Sequence, residues 1–282
     1  MNIAKCMYHI WEEEPISGIA RGFKGTFAIF FLGCNMRCVY CQNSKISKVN
    51  IKELKESKNK IKYSVEELSD EMIKAEKAGA ASISFITGVL YIDEIAETIK
   101  ISRKKGLTIP IVYNTSSYEP RLQLKKLNGL IDIYLADLKY SSNILGKKYS
   151  NVNNYFDVAS DSINEMYNQV GTMKFSEEDL RTNKVSGLII RHLVLPSNTE
   201  DSKKVIKYIY DNFGENVVMS IMSQYTPMPK NAGIDKFKEL NRPLTKREYE
   251  KVVDYAISIG VKNAYIQDGD VASESFIPDF NY

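Results

Sequence analysis

Short apolar runs rich in β-branched and aromatic residues alternate along this chain with longer stretches whose apolar residues recur every three or four positions. That alternation constrains the fold more than any other feature of the sequence. Strand patterns fall at residues 27–32, 82–86, 109–113, 131–136, 187–195 and 217–222, with 262–266 as a last strand. Helical patterns lie between them. Ser64 and Glu67 form a capping box for a helix carrying Val65, Leu68, Met72 and Ala75, and Gly79 stands where it stops. Ile92, Ile95, Ala96 and Ile99 mark a second helix closing near Gly106, and a short one is expected over 119–127. Phe156, Ala159, Ile163, Met166 and Val170 share one stripe over 155–170. A helix around 202–213 stops at Gly214, and Thr245 with Glu248 caps another that ends at Gly260. Successive parallel strands need crossovers, so these strand–helix units predict an α/β fold, either an open doubly wound sheet or a barrel.

Length does not choose between one large barrel and two modest domains, since 282 residues suffice for either. Residues 1–25 mix charge with Pro15, Gly18, Gly22 and Gly25, which reads as an extended approach to the first strand; Trp11 and the neighbouring glutamates are candidates for covering the substrate end. Residues 44–62 are lysine-rich and read as a solvated linker or frayed helix, and 172–184 as a polar surface excursion. Lys and Arg total 38 against 35 Asp and Glu, a balance that gives no reason to expect a nucleic-acid or membrane-surface partner. No apolar run has the length of a signal peptide or a bilayer span, which places the chain in the cytoplasm.

The chemistry concentrates in Gly33-Cys34-Asn35-Met36-Arg37-Cys38-Val39-Tyr40-Cys41-Gln42-Asn43, directly after the apolar run 27–32. Three thiolates at C-x3-C-x2-C spacing suit three irons of a four-iron cluster, leaving one iron without a protein ligand. Structural zinc prefers four protein ligands, commonly as two spaced pairs; here the fourth would have to be Cys6 or His9, far upstream. Four cysteines with three clustered are poor material for disulfides and better for metal, which fits a reducing compartment. Cys6 reads as a small buried hydrophobe.

Active sites of such barrels lie at the carboxyl ends of the strands, and polar residues collect there. Asn114, Thr115 and Ser116 follow the third strand, and Asp137 and Lys139 leave the fourth two positions apart, on one face. A carboxylate and an ammonium so placed suit a zwitterionic ligand, with a surface ion pair as the plainer alternative. On the fifth strand Arg191 and His192 point to opposite faces. Arg191 is expected inward on a carboxylate, because a guanidinium between sheet and helices lacks a partner, and His192 is expected to be a satisfied structural histidine.

These residues resemble the radical S-adenosylmethionine (SAM) superfamily, whose motif has this cysteine spacing with an aromatic residue before the last cysteine, as Tyr40 is here. Within it the chain is most similar to activating enzymes of glycyl radical enzymes, in the pyruvate formate-lyase activating enzyme-like branch. The similarity runs through Glu14-Pro15-Ile16-Ser17-Gly18, Phe30-Phe31-Leu32-Gly33-Cys34, Pro110-Ile111-Val112-Tyr113-Asn114-Thr115-Ser116, the stretch 132–140, Arg191-His192-Leu193-Val194-Leu195-Pro196 and Ser220-Ile221-Met222-Ser223-Gln224-Tyr225. It implies a partial (β/α)6 TIM-like barrel over residues 26–266, with an N-terminal extension (1–25) packing on it and a C-terminal tail (267–282). It also implies a 4Fe-4S cluster on Cys34, Cys38 and Cys41 whose open iron takes the amino and carboxylate groups of S-adenosyl-L-methionine. One electron then splits the sulfonium, and the 5'-deoxyadenosyl radical abstracts hydrogen from a substrate.

By the same resemblance Tyr40 lies against the adenine, Asn114 and Thr115 near the ribose or sulfonium, and Asp137, Lys139 and Arg191 around the methionine and ribose. A monovalent cation on Asp137 and Thr115 is a further implied cofactor. Two departures stand out. Where the superfamily has Gly-Gly-Glu after the second strand this chain has Ile86-Thr87-Gly88-Val89, leaving the cofactor's amino group to Thr87 and the backbone around Gly88. Where activases have a histidine at the sixth strand's end, Gln224 and Tyr225 stand here. Too few cysteines remain for extra clusters, so the electron is expected from a separate donor such as flavodoxin or ferredoxin. The implied partner is a glycyl radical enzyme. A small molecule, peptide or RNA is the other substrate class, and a non-catalytic zinc-stabilised binding protein is the reading from a different class.

Overall fold

The computed structural model describes residues 1–49, 62–227 and 234–267. One eight-stranded sheet carries the chain, its strands in sequential order: β1 (Ile3–His9), β2 (Thr26–Phe31), β3 (Ser82–Ile86), β4 (Ile111–Thr115), β5 (Ile133–Asp137), β6 (Gly187–Leu193), β7 (Val218–Met222) and β8 (Ala264–Ile266). β1 is antiparallel to β2, and β2 to β8 are all parallel. β1 and β8 are the two edges, so the sheet curls into an open α/β barrel.

The helices are α1 (Glu14–Ser17), α2 (Ser44–Ser47), α3 (Val65–Lys77), α4 (Ile92–Lys104), α5 (Arg121–Leu124), α6 (Asn143–Ser150), α7 (Tyr155–Val170), α8 (Glu177–Thr182), α9 (Thr199–Phe213) and α10 (Lys246–Ser258). Both capping boxes expected from sequence, Ser64 with Glu67 and Thr245 with Glu248, form at the starts of α3 and α10. Alternation sorts each strand into two faces. Ile29, Phe85, Tyr113, Tyr134, Ile190 and Ile221 join the large core under the helices, while Val112, Ile133, Leu135, Ile189 and Val218 face the lumen.

Residues 1–25 are not simply an extended approach. They supply strand β1 and then α1, whose Ile16 is fully buried among the inward residues of β4 to β7. Burying such a side chain contributes about 1.5–3 kcal/mol. Pro15 near the start of α1 suits a helix's first turn, where the missing N–H leaves nothing unpaired. Gly18 ends it at φ +62°, and a Cβ there would meet Ala81 Cβ at 2.7 Å. Ser82 Oγ donates to Ile16 O at 2.8 Å, and Arg21 ties the segment to Glu14 Oε1 (3.1 Å) and Asn183 Oδ1 (2.8 Å). The segment therefore plugs the lumen at the amino ends of the strands.

Other differences are local. β4 and β5 begin at 111 and 133 rather than 109 and 131, and β6 ends at Leu193 rather than 195. The helix α6 arises where no periodicity signals one, started by the Ser142 hydroxyl accepting from Leu145 N. α8 forms inside the polar excursion 172–184, with Ser176 and Asp179 as its capping box. Of the lysine-rich stretch 44–62, residues 44–47 form α2 and 50–61 lie outside the described residues, as do 268–282 of the expected tail. No described helix is long and apolar enough to cross a membrane.

Candidate functional site

A cavity of about 240 Å³ opens at the carboxyl ends of the strands, and the three motif cysteines line it. The loop carrying them is fixed from below by α6. Arg37 N and Val39 N donate to the carbonyls of Ser150 and Tyr149 at 3.0 and 2.8 Å, using two acceptors that a helix end leaves unpaired. The sulfurs have hydroxyl or amide neighbours. Cys38 Sγ lies 3.0 Å from Ser150 Oγ, Cys41 Sγ 3.3 Å from Ser47 Oγ, and Met36 N donates to Cys34 Sγ at 3.4 Å. Burial pushes the Cys38 thiol up to about 12 and raises that of Cys34.

Tyr40 is buried beside them. Its hydroxyl lies 2.5 Å from that of Tyr140, which reaches Ser150 Oγ at 2.8 Å, so an unbroken polar chain connects Tyr40 to Cys38. The Tyr40 ring meets Tyr225 edge-on with centroids 6.0 Å apart.

Opposite the cysteines the strand ends converge. Arg191, inward from β6, donates Nε to Asp137 Oδ1 (2.9 Å), Nη2 to Asn114 Oδ1 (2.9 Å) and Nη1 to Glu12 Oε2 (3.2 Å). Lys139 Nζ donates to Asp137 Oδ2 at 2.6 Å. Burial alone would raise the Asp137 carboxyl, but Lys139 and Arg191 hold it below the usual carboxylate range. Burial works against the charge on Lys139, and Asp137 more than offsets it. His192 faces the helices instead, 2% exposed, with Nδ1 donating to Leu138 O at 2.8 Å. Burial lowers its pKa, so the imidazole is neutral.

The remaining sequence candidates divide. Thr87, Asn114, Thr115 and Gln224 line the cavity; Gly88 does not. A Cβ at Gly88 would stand 2.4 Å from Ile95 Cδ1, so the glycine permits close packing beneath the site. Thr87 sits at φ +60°, a strained conformation for a β-branched residue, while its N–H donates to Asn114 O at 3.0 Å.

Glu12, one of the glutamates expected beside Trp11 at the substrate end, lines the cavity with its side chain 7% exposed. One residue was not singled out by sequence reasoning. Glu119, 1% exposed, accepts from Tyr113 Oη at 3.0 Å and from the Thr115 hydroxyl of the cavity wall. Burial pushes its carboxyl up to about 7 against those two donors. Its signal was only a lone acid after a strand.

Among the described residues no group of His, Cys, Asp or Glu converges closely enough to hold a single metal ion. A tetrahedral zinc needs such convergence. A cubane, which takes one thiolate per iron, does not, and three thiols sharing one cavity wall with hydroxyl and amide donors are a donor set that fits it.

Residues 28–172 match the radical SAM superfamily, about half of the chain, and the protein belongs to that family. Membership implies a 4Fe-4S cluster and SAM as cofactors. An uncharacterized protein of Methanocaldococcus jannaschii is 30% identical over 231 residues, covering 81% of this chain and 61% of its own length. Among solved structures, SuiB of Streptococcus suis bound to its precursor peptide SuiA superposes with a TM-score of 0.53 at 14% identity, over 85% of this chain and 48% of SuiB. HydG, a maturase of the FeFe-hydrogenase, gives 0.51 at 18% identity, over 80% of this chain and 48% of its own. At such identities these structures share the fold. The chain spans about half the length of those two proteins and about three-fifths of the archaeal relative.

Proposed function

We propose that this protein reductively cleaves SAM at a 4Fe-4S cluster held by Cys34, Cys38 and Cys41, and that the hydrogen abstracted comes from a substrate admitted to the open barrel end. The observation that carries this reading is that the three motif thiols and the Asn114–Asp137–Lys139–Arg191 array line one cavity. When bound, the cluster supplies an electron to the sulfonium, and the organic radical chemistry is the cofactor's own.

The chain's residues bind and orient. Lys139 and Arg191 offer charge to the cofactor's carboxylate and hydroxyls, and Asp137 keeps both cations in place. Asn114 and Thr115 present amide and hydroxyl groups from β4, Gln224 closes the far side, and the ring of Tyr40 gives an apolar wall for the adenine. Ser150, Ser47 and the amide of Met36 hydrogen-bond the sulfurs, which tunes reduction potential. Thr115 and Asp137 are also the groups that would take a monovalent cation. The electron is assigned to a separate flavodoxin- or ferredoxin-like donor, and the reaction to the cytoplasm.

The finer reading, activation of a partner glycyl radical enzyme, rests on residue similarity along β2, β4, β5 and β6. A glycyl radical signal from such a partner after incubation with the reduced enzyme would support it. The core proposal is tested by anaerobic reconstitution to about four irons and four sulfides per chain, dithionite reduction and chromatography for 5'-deoxyadenosine. A fully loaded protein that binds SAM and releases none of this product refutes it.

A further inference from the structure

Residues that follow β2 build the cofactor end of the cavity, whereas part of its opposite wall precedes β2. His9, Trp11 and Glu12 line that wall, upstream of the segment matching the superfamily. Its charges are poorly balanced. Arg191 is the one cation that faces Glu12 and Glu13 as well as Asp137, and burial raises the two glutamates while Asp137 is held low by Lys139 and Arg191. Lys139 is bound to Asp137, and Arg191 is shared among Asp137, Asn114 and Glu12.

The hydrogen bonding is correspondingly incomplete. Glu12 Oε1 has a long 3.4 Å contact from Asn114 Nδ2, and His9 Nδ1 stands off at 3.9 Å. His9 Nδ1, in the cavity wall, is buried without a hydrogen-bond partner among the described residues, as is Oε2 of the adjoining Glu13, which does not line the cavity. Buried polar atoms in native proteins nearly always have partners, and in this wall His9 Nδ1 lacks one while Glu12 Oε1 has only the long contact, which leaves both open to a ligand. The indole of Trp11, 56% exposed, stands in the same wall and can face a cation.

We infer that the His9–Trp11–Glu12 wall is the substrate-recognising side of the cavity, and that the substrate presents a cationic group, an alkylammonium or guanidinium, to the Glu12 carboxylate. The inference rests on the proposed function, in which the cofactor occupies the cysteine side. It adds a substrate class to that reading.

Trp11 is the chain's single tryptophan, so its emission reports on this wall. The experiment titrates the anaerobically reconstituted protein with n-propylammonium and methylguanidinium chlorides, and with sodium propionate and n-propanol, at constant ionic strength. At least one cation gives a saturable change and neither control does. Glu12→Gln, checked for fold by circular dichroism, weakens the cation by about ten-fold or more, as expected for loss of a charged partner. Glu13→Gln, a second variant that covers misfolding of the first, weakens it by about threefold or more. Indistinguishable titrations of wild type and both variants, or tighter binding of propionate, overturn the inference.

A parallel SAM titration separates the sources of the cation. Glu12→Gln should leave SAM affinity within about threefold; a loss matching that for the cation would assign the ammonium to the cofactor and overturn the substrate assignment. Failure of the proposed function shows differently, as no response to SAM in wild type with the cation titration intact.

Discussion

Glu119 offers a test of how the cavity wall is held. Its carboxyl sits at about 7 in the folded chain against a usual 4.5, because burial opposes ionisation more than Tyr113 and Thr115 favour it. The sign follows from proton counts. Between those values the folded state keeps a proton that the unfolded state has lost, so stability falls as pH rises. Below about 4.5 both states are protonated and nothing is lost; above about 7 the loss is complete. A separation of about 2.5 units at 1.36 kcal/mol each gives about 3 kcal/mol. Glu119→Gln keeps the shape and the acceptor for Tyr113 while removing the titration. Relative to wild type it should be more stable by about 1 kcal/mol at pH 5 and by about 3 kcal/mol at pH 8. That corresponds to a rise of about 6–10 °C in the melting midpoint for a chain of this size. Melting both proteins anaerobically at half-unit steps from pH 5 to 8 isolates the group, since other titrations cancel in the difference. A difference that stays flat across that range would refute the assignment.

Arg191→Leu leaves Glu12 and Asp137 buried without their shared cation. It should cost about 3–5 kcal/mol and be partly rescued by Arg191→Lys, measured as anaerobic melting midpoints; a loss under 1 kcal/mol would contradict the buried network. Thr87→Gly removes a side chain from a left-handed backbone position. It should raise stability by about 1 kcal/mol while weakening SAM binding, and a destabilised variant would show that the hydroxyl outweighs the strain.

Much of the barrel was legible because period-2 and period-3.6 patterns, capping boxes and terminal glycines all agreed from β2 to α10. Arg191 inward and His192 outward followed from alternation and from the cost of an unpaired guanidinium. What escaped depended on contacts distant in sequence. Ile16 is an ordinary apolar residue until the lumen surrounds it, and the glutamates beside Trp11 could not be told apart until Arg191, 179 positions from Glu12, meets that one. α6 has no clean stripe, because Tyr149 and Ser150 serve the cysteine loop rather than a helix face. Gly88 could not be told from a ligand-approaching glycine, since the Ile95 methyl group that demands it lies on the next helix.

The plug has a consequence for how specificity can vary. Only Ile10 to Glu14 separate the end of β1 from the proline that seats the plug. Held at both ends, this short span acts as a ruler: one residue more or fewer would carry Glu12 off its level beside Asn114 without disturbing the cysteines. On the proposed reading, the groups that hold the cofactors and those that meet the substrate lie in separate stretches of chain, and the second can vary in length without moving the cysteines.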